Sequence, residues 1–427
     1  MFGAGMRLFA CIVMCLVASA ALADPLYDVS EFQAYERDGS IDFRAGNYTA
    51  AEEAFASAAL YNPQQAKAYF NLAAAAARAG NRAKALMALD RFADFGVAAD
   101  IASDADFASL RGEAEFARIR DKLARNIAPL CVCKLTFEGT AEPFIAEGLA
   151  LDLKTERLFV SGVAARKIVA IHNGEARDFA EVPDGMSALG LHINKAHDLL
   201  WAAASVLPQS GDLGTRGAGE LIAFDITSGA VSARYPAPPG DGPRSLSDLA
   251  IGPDGTIYVS DAIQGDIFRL KPGSDALEKM GDRPRFKSPQ GMAVSADGAT
   301  LLVADYLDGL ERLDLASGTL DRVAVPVGVT TLGIDGLVEL PNGSFAATQN
   351  GLSPNRVVHF RLTKDWSRLE SFAVAARGTQ VGDVSLLVPS GNDVLVAGTS
   401  QWDSYGNDSE TPSKPLLPWR IVRVGLP

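Results

Sequence analysis

EGLALD at residues 147–152, LGLHIN at 189–194, SDLAIG at 247–252, QGMAVS at 290–295, DGLVEL at 335–340 and VSLLVP at 384–389 repeat one short apolar strand pattern. Taking the third residue of each as anchor gives Leu149, Leu191, Leu249, Met292, Leu337 and Leu386, spaced by 42, 58, 43, 45 and 49 residues. That period is about one propeller blade. Turns at Pro253-Asp254-Gly255, Ala296-Asp297-Gly298 and Pro341-Asn342-Gly343 stand where each first strand must reverse; Gly supplies the positive φ such turns require. Second strands follow as LFVSG, LLWAA, IYVSD, LLVAD, SFAAT and VLVAG, and a third strand follows each of these. Six three-strand units account for residues 129–427, and the regular spacing argues against a sandwich. LCVCKLTF, residues 130–137, is placed to add a closing strand to the last blade.

Upstream the pattern changes to a helical period. GNYTAAEEAFASAALYNP, residues 46–63, carries Ala51, Phe55 and Ala58 on one face. A shift of 34 residues lays Gly80 on Gly46, Ala85 on Ala51, Leu89 on Phe55 and Phe92 on Ala58. This resembles the tetratricopeptide repeat, whose small residues let helices approach closely. Phe107, Leu110, Phe116, Ile119 and Leu123 then suggest a capping helix pair. The expected organisation is therefore multidomain: an all-α tetratricopeptide-like domain over 30–126, then an all-β six-bladed propeller over 129–427. The helical repeats would serve a protein or peptide partner, or simply pack against the rest of the chain.

The first 23 residues read as a secretory leader: Arg7, an apolar run from Leu8 to Val17, and Ala21-Leu22-Ala23 before the expected cleavage site. Export implies a periplasmic protein. No later segment has 18 consecutive apolar residues, so no membrane span is expected. The chain has 39 basic and 52 acidic residues, a net charge of −13, which disfavours nucleic acid as a partner. Beyond the leader the cysteines are Cys131 and Cys133. They are read as structural thiols or a locally bent disulfide, since two ligands make no metal site.

In a propeller the innermost strands line the axis, so the residues that open them stand near the channel mouth. Here these are Glu147, Leu189, Ser247, Gln290, Asp335 and Val384. Oxygen ligands converging from different blades are what a hard divalent cation uses. With EGLALD in blade one, the PDG turn in blade three, QGMAVSADG in blade four and DGLVELPNG in blade five, the propeller resembles the gluconolactonase, senescence-marker-protein and luciferin-regenerating-enzyme family. The resemblance implies one divalent metal, usually calcium, and hydrolysis of a lactone or related ester. Carried over position by position, it implies Glu147, Ser247, Gln290 and Asp335 as metal ligands, with Asp335 also the candidate general base. Ser247 and Gln290 stand where the family has Asn, with Asp248 available beside Ser247. Those two departures keep a second reading open, a non-catalytic periplasmic interaction scaffold with a degenerate site. Arg244 lies one residue out of register with a family substrate-binding Arg.

The remaining candidates read as structural. His172, His192, His197 and His359 show no zinc spacing. Asp261 and Asp305, closing second strands, are expected to hold loop amides. No G-x-S-x-G or phosphate-binding loop occurs. The Gly- and Pro-rich loops 207–219, 236–244 and 402–418 could shape a pocket entrance.

Overall fold

The computed structural model describes residues 29–194, 198–211, 217–240, 242–281, 285–405 and 409–427. The leader and His197 lie outside the described residues.

Five α-helices come first: α1 (Val29–Ala45), α2 (Tyr48–Tyr61), α3 (Ala66–Arg78), α4 (Arg82–Asp94) and α5 (Ala114–Ile127), with a 3-10 turn at Ala105–Leu110. Gly46 and Gly80, the two positions related by the 34-residue shift, both take positive φ between consecutive helices, a conformation open to Gly without a Cβ clash. The periodic residues Ala51, Phe55, Ala58, Ala85, Leu89 and Phe92 are all buried. In α5, Phe116, Ile119 and Leu123 form the buried stripe.

Six separate sheets follow, each antiparallel, and consecutive innermost strands touch around a ring in which the sixth meets the first. The first blade comprises Ala146–Asp152, Arg157–Gly162, Lys167–His172 and Glu175–Glu181, from axis to rim. A six-bladed propeller preceded by a helical region is thus the observed fold.

Two expectations need correction. The repeating unit has four strands, not three: Glu175–Glu181, Val231–Pro236, Glu278–Lys279, Leu320–Arg322 and Leu369–Arg377 each add a rim strand. Most of their residues are not buried, so they carry no apolar run to read. Ring closure is also displaced by a few residues. Cys133–Glu138 pairs with Arg420–Val424 as the outermost strand of the sixth blade, whereas Leu130 and Cys131 pair with Arg377 and Ala376 of the fifth. The chain crosses between blades at Val132, and a Cys131–Cys133 disulfide with Cα atoms 5.1 Å apart spans the corner. Joining the start of the propeller to the end of the chain in one sheet covers the outer edge of Arg420–Val424 and closes the ring.

The helices rest on the fifth blade at the end where its innermost strand begins. In that blade Ile334 pairs with Gln349, and Gln349 with Arg356. Thr331 N and Oγ1 both donate to Gln64 Oε1, at 2.9 and 3.0 Å. Ala98 N donates to Ser353 O at 2.9 Å, and Leu352 packs into the helical core. Arg356, 2% exposed, joins the two regions: its Nε donates to Gln349 Oε1 (2.7 Å) and its Nη1 to Phe95 O (2.8 Å). Burial pulls its pKa down to about 10. Arg356→Met strands two buried acceptors and is expected to cost about 2 kcal/mol. Urea unfolding checks the loss, and limited proteolysis should show cleavage between helices and propeller rising with it.

Candidate functional site

Local backbone geometry explains why the strand-opening residues meet. In five of the six innermost strands the register slips by one residue: between Ala146 and Leu149, Ala188 and Leu191, Leu246 and Leu249, Pro289 and Met292, and Ile334 and Leu337. Glu147, Ser247, Gln290 and Asp335 therefore all sit in β-bulges, which re-aim side chains and free a backbone amide. Hydroxyls of second strands take up some of these amides. Gly148 N donates to Ser161 Oγ (2.7 Å), Asp248 N to Ser260 Oγ (3.1 Å) and Gly336 N to Thr348 Oγ1 (2.9 Å).

Two acids come together. Glu147, 6% exposed, has its pKa raised well above the usual carboxylate range by burial and then by the Asp335 charge, with Asp248 adding to the effect. Burial lifts Asp335 to about 6, although Asn350 opposes the shift by donating Nδ2 to Asp335 Oδ2 at 2.7 Å. Trp402 Nε1 donates to Glu147 Oε2 at 2.5 Å. Among the described residues no Lys or Arg pairs with either acid. Asn350 Oδ1 is buried beside this pair without a hydrogen-bond partner. Tyr306 also feels Asp335: burial and that charge push its phenol up to about 12.

The other expected ligands behave differently. Gln290 Nε2 donates to Ser288 Oγ (3.2 Å), and its amide oxygen has no partner among the described residues. Ser247 Oγ donates back to Ser245 O at 3.0 Å, along its own strand. Asp248 accepts from Leu249 N on Oδ1 at 2.8 Å; burial and Asp335 push it up to about 8. Among the described residues no group of three His, Cys, Asp or Glu is placed to hold a metal ion. A cation here would depend on the amides as well as the two acids.

Arg244 does not reach the channel. Its Nη1 donates to Asp261 Oδ2 (2.8 Å) and Asp266 Oδ2 (3.2 Å), both carboxylates buried, and Lys279 pairs with Asp266 from the other side at 2.8 Å. Asp261 and Asp305 hold loop amides as expected: Ser245, Ile263 and Gln264 for the first, Lys287, Ser288, Leu307 and Asp308 for the second. His172 and His192 are exposed, and His359 bonds Ser344 Oγ at 2.8 Å.

Trp402 and Asn350 were not among the residues expected from sequence. Trp402 lies in the 402–418 loop, flagged only as a pocket wall, and Asn350 follows a second strand without any repeat to mark it.

No family model and no curated protein matches the sequence. Solved structures with a similar fold include a gluconolactonase from Xanthomonas campestris, 16% identical over 70% of this chain and 95% of that one, with a TM-score of 0.48. Regucalcin from Agrobacterium tumefaciens, a calcium-binding protein, is 16% identical over 68% of this chain and 96% of its own (TM-score 0.46). A PQQ-bound aldose sugar dehydrogenase from Streptomyces coelicolor is 15% identical over 70% and 99% of the two chains (TM-score 0.47). At these identities the likeness is one of fold alone.

Proposed function

We propose that this protein is a divalent-cation-dependent hydrolase of a lactone or related ester, with the cation held at the channel mouth. The observation that carries the reading is the pair of acids, Glu147 from blade one and Asp335 from blade five, brought together without a basic partner. Two like charges in a partly desolvated site call for a counter-ion or a shared proton. Oxygen-only donors favour calcium over softer metals. Glu147, Gln290 and Asp335 would hold it. Because the Ser247 hydroxyl is turned along its strand, we give the fourth place to Asn350, whose Oδ1 is otherwise an orphan.

When bound, the cation supplies Lewis-acid polarisation of the substrate carbonyl. The chain's own part is positional. Trp402 and Asn350 each fix one oxygen of an acid, and the Ser385 hydroxyl also favours the Glu147 carboxylate. Asp335 is the candidate general base; in the cation-free chain burial lifts its carboxyl to about 6. We also propose export on the leader and a periplasmic location, with which the Cys131–Cys133 disulfide agrees.

Calorimetric titration of the EDTA-treated chain with calcium chloride is expected to show one site. Glu147→Gln should weaken it by about tenfold or more, since an acidic ligand is lost. Hydrolysis of glucono-1,5-lactone and simple aryl esters should require the same cation. Absence of heat with calcium, magnesium, manganese and zinc, together with no hydrolysis, would sink the reading. The scaffold alternative draws on Arg244, which is committed to ion pairs and so offers nothing to a substrate. A cation-binding chain inert towards the whole ester panel would favour it.

A further inference from the structure

A cavity of about 530 Å³ occupies the channel at the level of the anchor ring and beyond it. Its walls include Leu149, Leu191, Leu249, Met292, Leu337 and Leu386, the six anchors of the sequence repeat, and it runs on to Leu153, Pro341 and Gly391 where innermost strands turn. None of Glu147, Ser247, Gln290 or Asp335 lines it. It therefore opens at the end opposite the acid pair and the helices.

Among the described residues three ionisable ones line this cavity: Asp248, His192 and Glu339. No Lys or Arg is among them. Asp248 is the informative one. At the second position of the repeat, four blades have Gly (Gly148, Gly190, Gly291, Gly336) and the sixth has Ser385. Blade three alone puts a carboxylate there. The neighbouring blade makes room for it, because a Cβ on Gly190 would lie 2.4 Å from Asp248 Oδ1. Asp248 is surrounded by protein yet keeps part of its accessible surface, and that surface belongs to the cavity. One oxygen accepts the Leu249 amide; the other has no partner among the described residues. Glu339 lies three residues beyond Gly336, the position matching Asp248, so about 10 Å closer to the opening.

An apolar tube with one carboxylate at its inner end, a second towards its mouth and, among the described residues, no Lys or Arg in its wall selects a particular chemistry. A carboxylate ligand would be repelled, and a neutral hydrocarbon would leave Asp248 desolvated without compensation. A cation lacking an apolar body would find too few oxygens. We propose that this cavity binds an amphipathic amine, its ammonium donating to Asp248 and its apolar body lying along the Leu and Met walls. Amine binding does not need the cation at the other end of the channel, although Asp248 feels the Asp335 charge and a bound cation would weaken that influence.

The test uses the full chain in EDTA at pH 9, titrated with n-octylamine, n-octanol and n-octanoate, all below their aggregation limits. Octylamine is expected to bind about tenfold tighter than octanol, the increment of one buried charge-assisted hydrogen bond, with octanoate weakest. Asp248→Asn should bring octylamine down to the octanol level and leave octanol unchanged. Asp248→Ser, which installs the residue type of blade six, repeats the measurement should the Asn variant fold poorly. Octanoate binding as well as octylamine, or an amine preference that survives both substitutions, would overturn the proposal. Since calcium is absent throughout, failure of the hydrolase reading leaves these outcomes unaffected.

Discussion

Asp335→Asn is expected to raise the melting temperature of the cation-free protein at pH 8 while removing most of the stabilisation that calcium gives the unaltered chain. The sign follows from linkage. The Asp335 carboxyl titrates at about 6 in the folded state against 3.8 for the free group, so the folded chain holds the proton more tightly than the unfolded one. Its contribution to stability is fully present below about pH 4 and is lost as pH rises through about 6. Two units correspond to about 3 kcal/mol at pH 8, or a shift of about 5 °C or more for a protein of this size. Asp248, lifted to about 8, and Glu147, lifted by burial and by Asp335, act in the same direction. The cation-free protein should therefore melt lower at pH 8 than at pH 5, and calcium should close that gap. Acids with depressed values, such as Asp365 at about 2, oppose this trend only at much lower pH. Scanning calorimetry of both chains at pH 5 and 8, with calcium and with EDTA, reads all of this. A lower melting temperature for Asp335→Asn in EDTA at pH 8, or an undiminished calcium shift, would contradict the arrangement.

What could be read from the chain follows its periodicity. Glu147 and Asp335 were legible because each opens a repeat whose third residue is a buried anchor; a fixed offset from a core position is also a fixed place in space. The bulges that aim these acids inward come from the same local sequence. Trp402 and Asn350 had no such handle: one enters from an insertion loop, the other from beyond a strand end, and a loop of irregular length carries no period. Rim strands were missed for a related reason. A stretch such as Glu175–Glu181 faces solvent along most of its length, so neither alternation nor an apolar run distinguishes it from a polar loop. The closing strand was visible in LCVCKLTF, but its break at Val132 was not, because a corner between two blades is set by the ring's geometry and not by residue type.

Arg244 is where resemblance and structure part, and its replacement has the largest expected cost to the fold. Arg244→Met leaves Asp261 and Asp266, whose side chains are 0% and 3% exposed, without the guanidinium between them. Removing one member of a buried ion cluster costs about 3–5 kcal/mol, because the remaining charges cannot regain water. Lys279 still reaches Asp266, and amides of Ser245, Ile263 and Gln264 still bond Asp261 Oδ1, which favours the lower half of that range. Arg244→Lys should recover only part of the loss, since an ammonium on a different stem can replace the Nη1 bonds but not the guanidinium plane lying 5.0 Å from the Phe268 ring centroid. Adding Asp261→Asn to Arg244→Met removes the stranded charge and should restore stability, so that the two changes together cost less than their sum. A substrate-binding Arg would give the reverse profile: unfolding unchanged in urea, KM raised, and no rescue from position 261. Urea titrations of the two single variants and the double variant decide between these, and they do so before any substrate is known.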